Sequence, residues 1–245
     1  MGKGKTTRYF KYAVGEIILV VIGILIALGI NNLNENRKEN IQEQYLLKQI
    51  KKDILVDSSL IYRYASLTYG KTIQAKHLKK AVLAKRYDIS IDTLALNSFF
   101  IGKLVLFDAY TPTFDELVSS GNLGVIKSEN LKSAFKRYKN TNEGIKSFLY
   151  DESQKRKEAY NTHLHKYFEP QITTFLWESL DRGKINKDSL LNYKMDIKGF
   201  MDDPKTLDHI NTMIGIDREL NWNYSQRRIK TIQQIIEIVS DEIQK

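Results

Sequence analysis

From Ile17 to Ile30 the chain carries no charge, amide or hydroxyl, and across Tyr12–Ile30 Glu16 is the one formally charged residue. A helix rises about 1.5 Å per residue, so this stretch matches the roughly 30 Å hydrocarbon core of a bilayer. A buried helix of a soluble protein would show a polar side at this length, and this one shows none. The pattern predicts a transmembrane helix over residues 12–30.

Beyond it the pattern turns amphipathic. Ile41, Tyr45, Leu47, Ile50, Ile54, Ile61, Tyr64 and Leu67 recur at three- and four-residue steps, with lysines and glutamates between them. That spacing predicts one long helix, or two in series, from Asn31 to about Lys85. No Gly or Pro intervenes before Gly70, so the membrane helix can continue as a stalk; the weak helix formers Asn31, Asn32 and Asn34 are where a bend would fall. Tyr and Lys at the seam favour a bundle face over a coiled coil.

The later segments read as shorter helices around another long one. Tyr87–Ile91 alternates like a short strand but leads into an N-cap at Asp92, and Thr93–Phe107 is expected to be the most buried helix. Thr113-Phe114-Asp115-Glu116 has the spacing of a capping box, preceded by Pro112 and closed at Gly121. Ser128 is placed to cap a long helix through Leu131, Phe135, Tyr138, Ile145 and Leu149. The chain turns at Phe168-Glu169-Pro170, enters a helix through Ile172 and Leu176, and crosses a polar loop at Asp181-Arg182-Gly183-Lys184. Asp203-Pro204 opens the last long amphipathic helix, running to Ile243 through Gly215. The fold class expected is all-α: one N-terminal transmembrane helix, then an antiparallel bundle with long helices.

Charge sets the orientation. Lys3, Lys5, Arg8 and Lys11 precede the apolar run without an acidic residue among them, whereas Glu35, Glu39 and Glu43 mix with Arg37 and Lys38 after it. Short basic flanks stay in the cytoplasm. The layout expected is therefore a basic cytoplasmic flank at 1–11, the span at 12–30, and an extracytoplasmic helical domain at 31–245, in a bacterial inner membrane. Ala27-Leu28-Gly29 is a small-x-small triplet that would suit a signal peptidase, but the apolar run exceeds an ordinary signal-peptide core, which favours an uncleaved signal anchor. Cysteine is absent, so an outward domain must hold together without disulfides or thiolate metal ligands. The formal net charge of +9 suits polyanions or simple solubility.

The span has a patterned face. Gly23 and Ala27 form a small-xxx-small pair that lets another helix approach closely, and Glu16 falls on the same side. Glu16 either snorkels to the interface beside Lys11 or makes a polar contact between helices. Glu16, Gly23 and Ala27 are the candidate interface residues, toward a second copy or a partner membrane protein.

Lys11-Tyr12-Ala13-Val14-Gly15-Glu16-Ile17-Ile18-Leu19-Val20, followed by Gly23–Leu28 and Asn31-Asn32, resembles the opening of a family of uncharacterised bacterial single-pass membrane proteins that carry a domain of unknown function. Thr113–Leu123, continuing to Ile126 and Leu131, is a second matching stretch. The resemblance implies an N-terminal membrane helix and a helical remainder. Leu33 stands where family members often carry an interfacial Trp. No activity is implied.

Motif chemistry is sparse. His163 and His165 flank Leu164 and would point about 200° apart on a helix, which does not suit one metal. No glycine-rich phosphate loop and no G-x-S-x-G elbow occurs. Ser119-Ser120-Gly121-Asn122 reads as a helix stop more readily than as an anion-binding turn. Trp177, Trp222, Tyr193 and Tyr224 would line a pocket or, as helical spacing favours, pack in the core. Basic pairs such as Lys51-Lys52 and Arg227-Arg228 are spread and diluted by acids, so nucleic acid is not expected as a partner. No catalytic residue, cofactor or metal is assigned. The expected function is a non-enzymatic membrane protein whose outward domain binds a partner protein or ligand, as an envelope sensor or accessory subunit; the alternative is a membrane-tethered enzyme whose site is built from dispersed residues.

Overall fold

The computed structural model describes residues 3–181 and 186–244. One helix, α1 (Lys3–Leu83), organises everything else. It passes through Asn31, Asn32 and Asn34 without interruption and retains Gly70 in its interior, so span and stalk are one helix of 81 residues. Among the described residues it is the one helix long and apolar enough to cross a membrane. Nine apolar residues or more in a row with no polar competitor keep the backbone bonded to itself, and the polar stretch that follows is rich in straight-chain helix formers.

The rest of the chain packs on residues beyond about 43 of α1. After α2 (Ile91–Ile101) come α3 (Pro112–Ser119), a single 3-10 turn at Asn122–Val125, α4 (Glu129–Leu164), α5 (Gln171–Asp181), α6 (Lys187–Leu190), α7 (Ile197–Asp202), α8 (Pro204–Trp222) and α9 (Ile229–Gln244). A π turn at Asn223–Arg228 joins α8 to α9 without breaking the rod. Among the described residues the fold is all-α, with one isolated bridge between Phe168 and Met195.

Paired contacts fix the directions. Gln44 donates to the Glu242 carbonyl, Gln233 to Tyr62, and Asn221 to the Ala65 carbonyl. As α1 ascends, α8–α9 descends. By contrast, α4 starts beside Glu43 and ascends with α1, since Lys127 meets Glu43 and Tyr138 meets Asp57. Leu47, Ile50, Ile54 and Ile61 line the inner side of α1, each no more than 1% exposed, and Ile232, Ile235 and Val239 of α9 are buried in the same core.

Several boundaries differ from those the sequence suggested. The helix expected at Thr93–Phe107 begins earlier and stops earlier: Ser90 is its N-cap and Gly102 its C-cap. A Cβ at Gly102 would collide with Asn161 and the Tyr160 ring, so glycine is required where α2 meets α4. The capping box at Thr113 does not form. Thr111 is the N-cap of α3 and Pro112 occupies the first turn, where its missing N–H costs nothing. Gly121 does take the left-handed conformation, with φ of 74°, that ends this segment. Ser128 and Asp203 cap α4 and α8 through their side chains, as their spacing predicts. Most of the polar loop expected after Asp181 lies outside the described residues.

Candidate functional site

The centre of the domain is a segment without regular secondary structure, residues 103–111, between α2 and α3. Irregular backbone inside a helical bundle leaves carbonyls and amides that no helix ladder satisfies, and burying them unpaired is expensive. Here the carbonyls of residues 103, 105 and 107 each find a side chain. Lys71 Nζ on α1 donates to the Lys103 carbonyl. The Tyr224 hydroxyl donates to Val105 O at 3.0 Å, and Arg228 Nη1 to Phe107 O at 3.3 Å. The Tyr110 amide donates to Asp57 Oδ1 at 2.5 Å. The π turn presents Tyr224 and Arg228 together, so the irregularity in the α8–α9 rod coincides with its service to this segment.

These donors bring charge into the interior. Arg228 is 2% exposed, and its guanidinium lies 5.1 Å from the Phe107 ring and 5.2 Å from that of Tyr224. Asp57 is fully buried and accepts the Tyr138 hydroxyl on its second oxygen. Burial pushes its carboxyl up to about 6, against the opposing pull of the Tyr110 amide, the Tyr138 hydroxyl and Arg228. Burial also raises the Tyr224 phenol to about 12 and Tyr138 well above the usual range. Lys71 pairs with Asp217 Oδ1 at 2.8 Å, both side chains nearly inaccessible. Burial drives the two toward neutrality, lysine down and Asp217 up to about 6, while their mutual attraction resists it. Asp217 Oδ2 has no hydrogen-bond partner. Every one of these groups is committed to backbone or to a buried counterion, which makes the seam a fastening.

Carboxylates on α1 fasten the next stretch in the same way. Asp53 Oδ2 accepts the Thr113 amide at 3.0 Å, and Glu43 Oε1 accepts the Lys127 amide at 2.6 Å. Asp53 thus accepts, from another helix, the Thr113 amide that Glu116 was expected to reach back to. In Ser119-Ser120-Gly121-Asn122 both serine hydroxyls turn back to the Glu116 carbonyl, as befits a helix stop.

The histidines separate. His163 is buried, its Nε2 2.7 Å from Thr206 Oγ1. Thr206 spends its own proton on the Phe200 carbonyl, so Nε2 of His163 is the donor in this pair. Nδ1 then faces Asp203 Oδ2 at 3.9 Å, and burial and the neighbouring His209 ring lower the His163 pKa. No group of three or more His, Cys, Asp or Glu suited to a metal ion occurs among the described residues.

Two of the open surfaces among the described residues border α1. A cleft of about 580 Å³ lies between α1 and α8 beside the π turn, lined by Tyr69, Lys76, Arg218, Glu219 and Trp222 among others. Trp222 and Trp177 are about half exposed, whereas Tyr224 is fully buried and Tyr193 packs partly buried against the core, so of these four the core packing favoured by spacing holds for the two tyrosines. The second surface is the outer side of α1. Ile41, Tyr45, Leu55, Tyr62, Tyr69 and Ile73 are all exposed there, Tyr45 and Tyr69 by about three-fifths at 62% and 61%. The stripe inferred from spacing had assigned Ile41, Tyr45 and Leu67 to the bundle face; they point away from it. Within the span, Glu16 and Ala27 are exposed and nothing lies within 4 Å of the Cβ position at Gly23.

The fold defines a class: an all-α chain whose leading helix has membrane-spanning length and composition and then continues as the spine of a helical domain. Within that class, this chain belongs to a family of unknown function, DUF6090, whose sequence model matches residues 16–169. The matched part runs from Glu16 on α1 to the end of α4, and so contains the Thr113–Leu123 stretch and the carboxylates that seat it. No curated protein and no solved structure matches the chain.

Proposed function

We propose that the protein is a single-pass, signal-anchored protein of a bacterial inner membrane, non-enzymatic, whose extracytoplasmic domain binds a partner protein. Residues 1–11 form the cytoplasmic flank, 12–30 the span and 31–245 the outward domain; the basic flank of Lys3, Lys5, Arg8 and Lys11 supports that orientation. The observation that carries the reading is the outer side of α1. Large apolar side chains recur there over several turns of the same helix that forms the span, and contiguous exposed apolar surface marks interaction sites. The buried charges, by contrast, are consumed by the fold. The face of Glu16, Gly23 and Ala27 extends the binding role into the bilayer, through a second copy or a partner's membrane helix.

Protease added to spheroplasts is expected to digest the domain and leave the N-terminus protected. A domain shielded until the membrane is broken overturns the orientation. Gly23→Leu and Ala27→Leu are expected to reduce crosslinking within the bilayer while leaving membrane insertion intact, with Leu19 and Ile22 substitutions as controls. Crosslinking that is indifferent to all four positions leaves the span as an anchor only.

A further inference from the structure

The exposed positions on α1 follow a regular course. Residues 41, 45, 48, 52, 55, 59, 62, 66, 69 and 73 are all exposed and alternate steps of four and three, a course that drifts by about 20° per heptad around a straight helix and so nears the α8–α9 side at Tyr62, which accepts from Gln233, and at Tyr69, which borders the cleft with α8. Apolar side chains occupy the ends and middle of this course, with the small Ser59 between Leu55 and Tyr62 and Ser66 between Tyr62 and Tyr69. Its charges have one sign. Lys48, Lys52, Arg63, Lys76 and Lys80 are exposed between Ile41 and Lys80, whereas the three carboxylates of that stretch, Glu43, Asp53 and Asp57, turn inward to backbone amides. Over residues 41–80 of α1 the acids are spent on its own domain, while these five cations are left outside.

We propose that the outer face of α1 from Ile41 to Lys80 docks an acidic amphipathic helix of a second protein, laid along the stalk with its apolar side on Tyr45, Leu55, Tyr62 and Tyr69 and its carboxylates toward Lys48, Lys52 and Arg63. This rests on the partner-binding reading above and names the partner's chemistry. Charge complementarity selects the occupant. Two copies anchored in one membrane stand parallel, and a two-fold axis along the stalk would set Lys48 against Lys48 and Lys52 against Lys52, with no carboxylate on that face to relieve them. A bilayer surface does not fit either. With the span ending at Ile30, a rise of about 1.5 Å per residue carries Ile41 about 16 Å and Ile73 about 65 Å beyond it, past the headgroups for nearly the whole course. A partner helix also matches the shape: the course is roughly 48 Å long and one helix wide.

The test places a photocrosslinking amino acid at Tyr62 or Tyr69 in the full-length protein in native membranes, and sequences the crosslinked peptide. The expected adduct is a helical segment of another protein with a net negative charge on the peptide's polar side. Lys48→Glu, Lys52→Glu and Arg63→Glu combined should cut its yield by about tenfold or more, and the two charge-preserving replacements Lys48→Arg and Lys52→Arg, with Arg63 retained, should preserve it. The thermal unfolding of the isolated domain-bearing protein in detergent is expected to stay unchanged in both, since these side chains are exposed. An adduct with a second copy, with lipid or with nucleic acid overturns the proposal. So does a protein adduct unmoved by the charge reversals, although partner binding then stands. Absence of any protein adduct from Tyr62, Tyr69 and Trp222 alike overturns both.

Discussion

The two sides of α1 beyond its apolar run use similar residues to opposite ends. Ile54 and Leu55 are neighbours in the chain, yet one is fully buried and the other is 49% exposed. On the inner side, charged residues are tolerated only where they are bonded: Asp57 to Tyr110 and Tyr138, Lys71 to Asp217 and the Lys103 carbonyl. On the outer side, apolar residues alternate with cations that face solvent. The contrast separates two meanings of a mixed pattern. A charge within an apolar course is a buried fastening when its opposite and a backbone group lie across from it, and a recognition element when nothing does.

The largest effect should come from breaking the inner fastening. Lys71→Met removes the cation and leaves Asp217 buried, with Oδ2 already lacking a partner. Stranding one member of a buried pair costs about 3–5 kcal/mol, read as a lowered midpoint in chemical unfolding. Replacing both members, Lys71→Met with Asp217→Leu, should recover a good part of that loss, because the desolvation cost disappears with the charges. Additive losses in the double variant would mean that the Lys103 carbonyl, and not the ion pair, sets the cost.

The second effect is a pH dependence. Burial raises the Asp57 carboxyl to about 6, from the 3.8 of an unperturbed carboxyl. The folded state therefore binds a proton that the unfolded state releases between those values, and its contribution to stability is fully present below 3.8 and lost as pH rises through about 6. Asp57→Asn abolishes the titration. Between pH 7.5 and pH 4.5 the wild type should gain roughly 2 kcal/mol relative to this variant. A difference that stays flat across the range means that Tyr138, Tyr110 and Arg228 hold Asp57 ionised throughout. Asp217 is pushed the same way, so the background slope has the same sign and is cancelled by the comparison.

Much of this architecture was legible in the residues. The long apolar leading helix and its amphipathic continuation, the caps at Ser128 and Asp203, and the continuous last rod follow from run length, 3.6-residue periodicity and cap chemistry, all of which are local. The buried seam was not read, although it left a trace. Asp57 stands between Ile54 and Ile61, Lys71 between Thr68 and Ala75, and Arg228 between Tyr224 and Ile232, each a charge at a core register. What these charges bond to lies from 32 residues away, as Lys71 to the Lys103 carbonyl, to 146, as Lys71 to Asp217, and no local pattern names that partner. The same non-locality misplaced the start of α3, because its first amide is capped by Asp53 from another helix. The outer face was misread for a related reason. Ile41, Tyr45 and Leu67 fit an apolar stripe as well as Ile54 does, and only the position of α8–α9 decides which side is covered.

The smallest expected effect sharpens the comparison most. Leu55→Ser and Tyr69→Ser change large apolar side chains on α1, one of them beside the fully buried Ile54. Neither side chain is enclosed by the bundle: Leu55 is 49% exposed and Tyr69 61%. Substitutions at such positions stay within about 0.5 kcal/mol of the parent in stability. Chemical unfolding of the full chain in detergent would therefore overlay the wild type, with the same midpoint and the same slope. If the outer residues serve a partner, that neutrality is what leaves them free to be chosen for binding, since the fold exerts no demand on them. A loss of a kcal/mol or more at Leu55 would instead place it in an intrachain contact and remove the distinction between the two faces at that turn.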